Sequence, residues 1–199
     1  MNGTELALVI AAVCTGAATL LTSIGGFIVL LRKVSAVHEL TNSLADSDEP
    51  LVNINYNRYR VDMLKLGVNL YEVSTEQLKR NRQLRTLLKK ARGRLHAKLA
   101  LVDREWVLLG SMNLDPRSAR LNTELGVIID SPEMARQLLS FADAGSSYRL
   151  RLDATGRNVE WVEEDEDGKE TAYDVPPETS AWQRFKLRLI APFIPQSQL

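Results

Sequence analysis

LHAKLALVDREWVLLGSMN, residues 95–113, is the stretch from which the rest of the chain is read. As a pattern it is H-x-K-x4-D-x6-G-S-x-N, with His96, Lys98, Asp103, Gly110, Ser111 and Asn113 at the fixed positions. These residue types suit phosphodiester chemistry: an imidazole nucleophile, a cation for phosphate, and hydrogen-bond donors around the oxygens. Six specified residues, at about one in twenty each, would coincide by chance on the order of a few times per million chains of this length. Leu95 to Asp103 has the apolar density of a buried strand, and Trp106 to Leu109 reads as its neighbour across a tight turn at Asp103-Arg104-Glu105. Alternate residues of a strand share a face, so His96 and Lys98 point the same way, as two groups acting on one phosphate must. Asp103 has the opposite parity at the strand end and reads as a support for the turn, not a phosphate contact.

Working outward, the pattern is that of an α/β domain, a mixed β-sheet flanked by helices. On the N-terminal side, Val34 to Pro50 is polar and ends in the loop Asp46-Ser47-Asp48-Glu49-Pro50. Tyr56, Tyr59, Met63 and Leu66 fall at helical spacing with Gly67 as a stop, and Val68 to Val73 follows as a strand. Glu76 to Arg92 reads as a basic, weakly amphipathic helix or a loop. On the C-terminal side, Thr123 to Asp130 is a strand, with Glu124, Gly126 and Ile128 on one face. Ser131 is a suitable N-cap for a helix with Pro132 at its first position and Met134, Leu138 and Phe141 on its buried side, ended by Gly145. Tyr148 to Leu152, Val159 to Val162 and Thr171 to Val175 suit a small meander at the sheet edge. The last helix places Trp182, Phe185 and Leu189 on one face. Packing against the domain is the expectation for it, with an anionic membrane surface as the alternative.

The chain of 199 residues suits one domain with a small appendage. Lys+Arg and Asp+Glu are equal at 25 each, so net charge neither favours nor excludes a polyanionic partner. The charge is segregated: nine basic residues and no acid from Lys79 to Lys98, nine acids and one Lys from Glu160 to Glu178. The basic run leads into the motif, where a positive approach draws in phosphate groups. Cys14 is the one cysteine, which excludes an intrachain disulfide; it reads as an apolar packing residue, since Val13 and the lack of a basic n-region make a poor lipoprotein site. Leu6 to Leu31 is an uncharged, mostly apolar run of 26 residues ending at Arg32-Lys33. As a helix it would reach roughly 39 Å against a hydrocarbon core of about 30 Å. Residues 1–35 therefore read as an apolar helix and single-pass transmembrane anchor, and residues 36–199 as the domain. The two flanking basic residues place that domain on the cytoplasmic side.

The H-x-K-x4-D core resembles the signature of the phospholipase D superfamily. The continuation LDPRSARLNTELGVIIDSPEMARQL, residues 114–138, resembles the C-terminal half of bacterial phospholipase D-type cardiolipin synthases. The likeness resumes upstream at Leu40-Thr41-Asn42-Ser43-Leu44-Ala45 and covers about residues 41–199, while residues 1–35 resemble nothing placed in that family. The resemblance implies a bacterial, membrane-associated enzyme of phospholipids. It implies His96 as the nucleophile that forms a phosphohistidine, with Lys98 and Asn113 on the non-bridging oxygens. Ser111 and the backbone near Gly110 would shape the pocket, and Glu124 stands where the family has an acid that hydrogen-bonds the imidazole. No cofactor and no metal is implied.

The chain departs from the family in one respect. The family's site joins two motifs across a pseudo-twofold axis, one histidine attacking and the other protonating the leaving group. This sequence has two histidines, and His38, in AVHELTN, has no Lys two residues later. Three expectations follow: a homodimeric phosphatidyltransferase or phospholipase completed by a second motif-bearing chain, a catalytically incomplete fragment or interaction module, and a single-motif nuclease approached through the basic run.

Overall fold

The computed structural model describes residues 36–45, 50–74, 98–111, 123–143, 147–165 and 167–193. The apolar run Leu6–Leu31, the basic stretch Glu76–Arg92, His96, Asn113 and Gly145 lie outside the described residues.

Among the described residues the chain forms β1 (Val37–Asn42), α1 (Pro50–Lys65), β2 (Val68–Val73), β3 (Leu99–Val102), β4 (Trp106–Gly110), β5 (Gly126–Asp130), α2 (Pro132–Asp143), β6 (Ser147–Leu152), β7 (Val159–Glu164), β8 (Glu170–Tyr173) and α3 (Ala181–Ile190). The eight strands make one mixed sheet in the order β5-β4-β3-β1-β2-β6-β7-β8. β1 and β2 run parallel, joined through α1 as a parallel pair requires, and every other neighbouring pair is antiparallel. The α/β class expected from the sequence is thus observed. β6, β7 and β8 are the meander expected at one edge.

β1 corrects the reading of Val34–Pro50 as polar connection. VHELTN occupies the middle of the sheet, between β2 and β3. His38 and Glu39 are both buried there despite their polarity. Covered on both faces, the strand is stabilised by tertiary neighbours that no local pattern displays.

Strand alternation divides the core in two. Facing α1 are Val37, Val68, Leu70, Val102, Tyr148, Leu150 and Trp161, packed with Tyr56, Tyr59 and Met63 of the helix. Facing α2 are Leu40, Tyr71, Leu99, Leu101 and Val107, packed with Ala135, Leu139 and Ala142. α1 ends as expected at Gly67, whose φ of +85° is one that L side chains rarely adopt. Ser131 caps α2: its Oγ accepts from Met134 N–H at 3.3 Å. The buried side of α2 differs from the expectation, however. Met134 is exposed and Leu138 only partly packed, while Ala135, Leu139 and Ala142 face the sheet. Small residues let the helix axis approach the strands, and the larger Met134 is turned outward. The side chain of Phe141 lies outside the described set.

α3 packs against the domain as expected, through half-buried Arg184 and Leu187, but none of its residues is fully buried, and Trp182, Phe185 and Leu189 are exposed. Among the described residues, no helix is long and apolar enough to cross a membrane.

Candidate active site

The motif residues that the structure describes gather at one end of the sheet, where β4 finishes and β3 and β5 begin. Lys98 directly precedes β3, and its carbonyl accepts from Gly110 N–H at 3.3 Å, which aligns it with the last residue of β4. Gly110 pairs in turn with Gly126, the first residue of β5. By alternation Lys98, Gly110 and Gly126 belong to one sheet face, the one that packs on α1 further along the strands, and the two glycines form a floor beside Lys98. β5 begins at Gly126, not at Thr123 as expected, so Glu124 precedes the strand and is placed by its bond to Ser111. A Cβ on Gly110 would lie 2.9 Å from the Leu125 carbonyl oxygen and 3.3 Å from Gly126 Cα, closer than a side chain can sit without a backbone shift. The Leu125 carbonyl already fills the space a Gly110 side chain would need, and Leu108 Cδ1 lies 3.8 Å from where a Gly126 Cβ would be, so the two glycines allow β4 and β5 to approach closely.

Ser111 secures the edge of this floor. Its N–H donates to Leu125 O at 2.9 Å, and its Oγ accepts from Leu125 N–H at 3.0 Å. The same hydroxyl donates to Glu124 Oε2 at 2.5 Å, a short hydrogen bond of the charge-assisted kind. Ser111 is exposed and Glu124 half-buried, so both are within reach of a ligand from solvent. The structure thus brings together Lys98, Gly110, Ser111 and Glu124. His96, two residues before Lys98, and Asn113, two after Ser111, lie outside the described residues.

Asp103 is kept apart from this cluster. Five residues of extended chain separate it from Lys98, roughly 16 Å at the usual rise. Its Oδ1 accepts from Ala36 N–H at 2.9 Å and its own N–H donates to Ala36 O at 2.9 Å, tying the hairpin to the start of β1. Asp103 and Arg104 have φ of +55° and +59°, and Glu105 N–H closes the turn on Val102 O at 3.0 Å. Positive φ at both central residues is the requirement of a type I′ hairpin turn, which Asp tolerates better than most residues. Asp103 supports the turn, as its parity indicated.

His38 lies on the opposite face of the sheet from Lys98, buried and stacked on Tyr71 with ring centroids 6.0 Å apart. Its place among the α2-facing residues of β1 removes it from the pocket. It cannot serve there as a second acid.

Behind the floor lies a polar network that sequence reasoning missed. Arg60 of α1 pairs with Glu72 of β2 at 2.7 Å, and Trp161 Nε1 donates to the second oxygen of that carboxylate at 2.8 Å. The Arg60 guanidinium also sits 4.8 Å from the Trp161 ring centroid and 5.3 Å from that of Tyr56, a cation between two π faces. All four side chains are buried. Glu39 of β1 belongs to the same sheet face; burial pushes its carboxyl up to about 8, and its Oε2 has no hydrogen-bond partner. A charged residue inside a mostly apolar strand, Glu72 in VNLYEV, was the available signal. Further along this end of the sheet, Glu178 accepts from Ser74 Oγ at 2.6 Å and from Tyr148 OH at 3.0 Å, anchoring the segment that leads to α3.

The chain matches the family described as cardiolipin synthase, PLD-like domain, over residues 28–144, more than half its length. The match begins inside the stretch that sequence reading had set outside the family likeness. Cardiolipin synthase C of Escherichia coli (strain K12) is 38% identical over 165 residues, which are 80% of this chain and 34% of that protein. An uncharacterized protein of Helicobacter pylori (strain ATCC 700392 / 26695) is 39% identical over 113 residues, 56% of this chain and 22% of that one. Cardiolipin synthase A of Buchnera aphidicola subsp. Acyrthosiphon pisum (strain APS) is 45% identical over 47 residues, 24% of this chain and 10% of that protein. The chain spans about a third or less of the length of these relatives. With its single H-x-K-x4-D motif and the sheet that presents it, the chain belongs to the phospholipase D superfamily, as a cardiolipin synthase-like PLD domain.

Proposed function

We propose that the domain is one half of a phospholipase D-type phosphatidyltransferase or phosphodiesterase that acts on phospholipids, completed by a second motif from a homodimer partner. The observation that carries this reading is the convergence of Lys98, Ser111 and Glu124 around the glycine floor at one strand end. An imidazole nitrogen of His96 attacks phosphorus, forming an N–P bond as the P–O bond to the leaving alcohol breaks. The departing alkoxide takes its proton from the histidine of the second motif. An acceptor hydroxyl then attacks the phosphohistidine, giving its proton to that same histidine as the N–P bond breaks. Lys98 and Asn113 hold the non-bridging oxygens and stabilise the charge of the five-coordinate transition state. Glu124, oriented by Ser111, steadies the imidazole and its positive charge. Residues 1–35 act as the membrane anchor of the domain.

A partner surface beside the site is supported by the sheet edge. Among the described residues β5 is the terminal strand there; Val127 and Ile128 of β5, Leu125 just before it and Leu109 of β4 are exposed, Leu125 at 78% and Val127 at 51%. An exposed apolar edge strand invites pairing or coverage by another chain. Purified full-length protein in detergent is expected to be dimeric by light scattering. It should convert phosphatidylglycerol to cardiolipin or release a head group, and His96→Ala should abolish this. A verified dimer with no turnover on lipids would overturn the reading in favour of a catalytically incomplete module. Turnover of DNA in place of lipid would favour the nuclease.

A further inference from the structure

We propose that α3 docks the domain onto an anionic phospholipid surface, lying in the plane of the interface with its outer face among the acyl chains. The helix is well defined: Ser180 caps it, the side chain accepting from Gln183 N–H at 3.0 Å. Arg58 of α1 donates to Ala191 O at 3.0 Å, and Arg184 donates to Thr179 Oγ1 at 2.9 Å. The first of these bonds ties the end of the helix to α1 and the second steadies its first turn. Arg184, Leu187, Arg188 and Ala191, at helical spacing, line the cleft against α1 and β7.

The opposite side carries the large apolar residues. Trp182 is 64% exposed, Phe185 54%, Leu189 60%, and Phe193 in the following turn 80%. An amphipathic helix normally turns such a face to the core; here the domain holds it outward. Trp182 and Phe185 stack with centroids 5.7 Å apart, forming one contiguous aromatic surface, and Lys186 Nζ lies 5.8 Å from the Trp182 centroid.

Charge selects a lipid surface as the occupant. From Thr179 to Leu199 the sequence has Arg184, Lys186 and Arg188 and no acid. The cleft beneath α3 is lined by Arg58, Arg60 and Arg157, with Asp174 the acid among its lining residues. Aromatic and aliphatic side chains outward, with basic residues along the flanks whose stems can lie on the apolar layer, is the composition of an interfacial helix. Ten residues reach only about 15 Å, so α3 can lie on a bilayer but cannot cross one. The inference does not rest on the proposed catalysis and is independent of any anchor in residues 1–35.

The test reads the environment of α3 locally. Full-length protein carrying Cys14→Ser and Phe185→Cys is labelled at position 185 with an environment-sensitive fluorophore and reconstituted in vesicles of phosphatidylglycerol or phosphatidylcholine. With phosphatidylglycerol we expect a blue-shifted emission and a drop in iodide quenching of about threefold or more, as burial in an interface gives. Adding Lys186→Glu and Arg188→Glu should remove both, and a label at Thr171, exposed on β8, should remain quenchable throughout. Equal quenching in phosphatidylglycerol and in solution would overturn the proposal. So would protection that is the same in phosphatidylcholine, or present without vesicles, which would identify a protein partner. A label at Leu189 provides the same readout should Phe185→Cys fail to fold.

Discussion

Replacing Glu39 by Gln should make the protein more stable at neutral pH, by an amount that grows with pH. Glu39 is buried in the centre of the sheet, and desolvation raises its carboxyl from the usual 4.5 to about 8. In the unfolded chain the same group ionises near its ordinary value. Between these two values the unfolded state has released the proton while the folded state still holds it, so stability falls as pH rises from 4.5 to 8. At pH 7 the unfolded chain has been favoured across about two and a half pH units, at about 1.4 kcal/mol each, or about 3 kcal/mol. Gln keeps the volume and cannot ionise. Any cost of its amide beside groups that offer Oε2 no partner is independent of pH. Urea unfolding of both proteins from pH 5 to pH 8 separates the two contributions, because every other titrating group is shared and cancels in the difference. The stability of Glu39→Gln relative to the parent should rise steadily across that range. A difference that stays flat would mean the folded carboxyl is ionised, and would refute the desolvation argument.

Arg60→Met alone should cost about 3–5 kcal/mol by urea unfolding, since it leaves the buried Glu72 carboxylate without its cation. The double change Arg60→Met with Glu72→Leu should recover much of that loss. Gly110→Ala should lower stability by about 1–3 kcal/mol, because the new Cβ presses on the Leu125 carbonyl. It should also lower lipid turnover by displacing the Ser111–Glu124 edge that Leu125 holds, and a variant with parental turnover would contradict the close-approach account. Val127→Lys on the exposed edge of β5 should shift the protein toward monomer in light scattering and lower activity in proportion. A variant that stays dimeric would place the interface elsewhere.

How much of the molecule can be read from its residues differs between the strands. β3 is plain in the sequence because burial of all four of its residues demands an unbroken apolar run; Asp103-Arg104-Glu105 then breaks the run with turn-forming polar residues, and the apolar Trp106 to Leu109 marks β4 although only Val107 of it is buried. β1 is hidden for the opposite reason: VHELTN has a central position but polar residues, and its burial depends on β2, β3 and both helices. The face of α2 was misjudged because a count of large apolar residues favours Met134, whereas close approach to the sheet favours Ala135 and Ala142. Arg60 and Glu72 are 12 residues apart on different elements, so nothing in either segment announces the other.

The same division runs through the candidate site. The motif restricts its residues in type and in spacing, so Lys98 and Ser111 could be picked out from the chain, while Glu124 came from the family resemblance. The glycines beside them are restricted only by register. Gly110 could be flagged as part of a motif, but its role depends on facing Gly126 across two strands and on the carbonyl of Leu125 lying where its Cβ would be. His38 shows the converse: the lack of a Lys two residues on already set it outside a second motif, and its parity on β1 places it on the sheet face opposite Lys98. Under the proposed chemistry the second proton donor would come from a partner chain. Among the described residues β5 is the terminal strand beside Ser111, with Leu125 and Val127 exposed next to it, so the proposed partner surface and the proposed site adjoin.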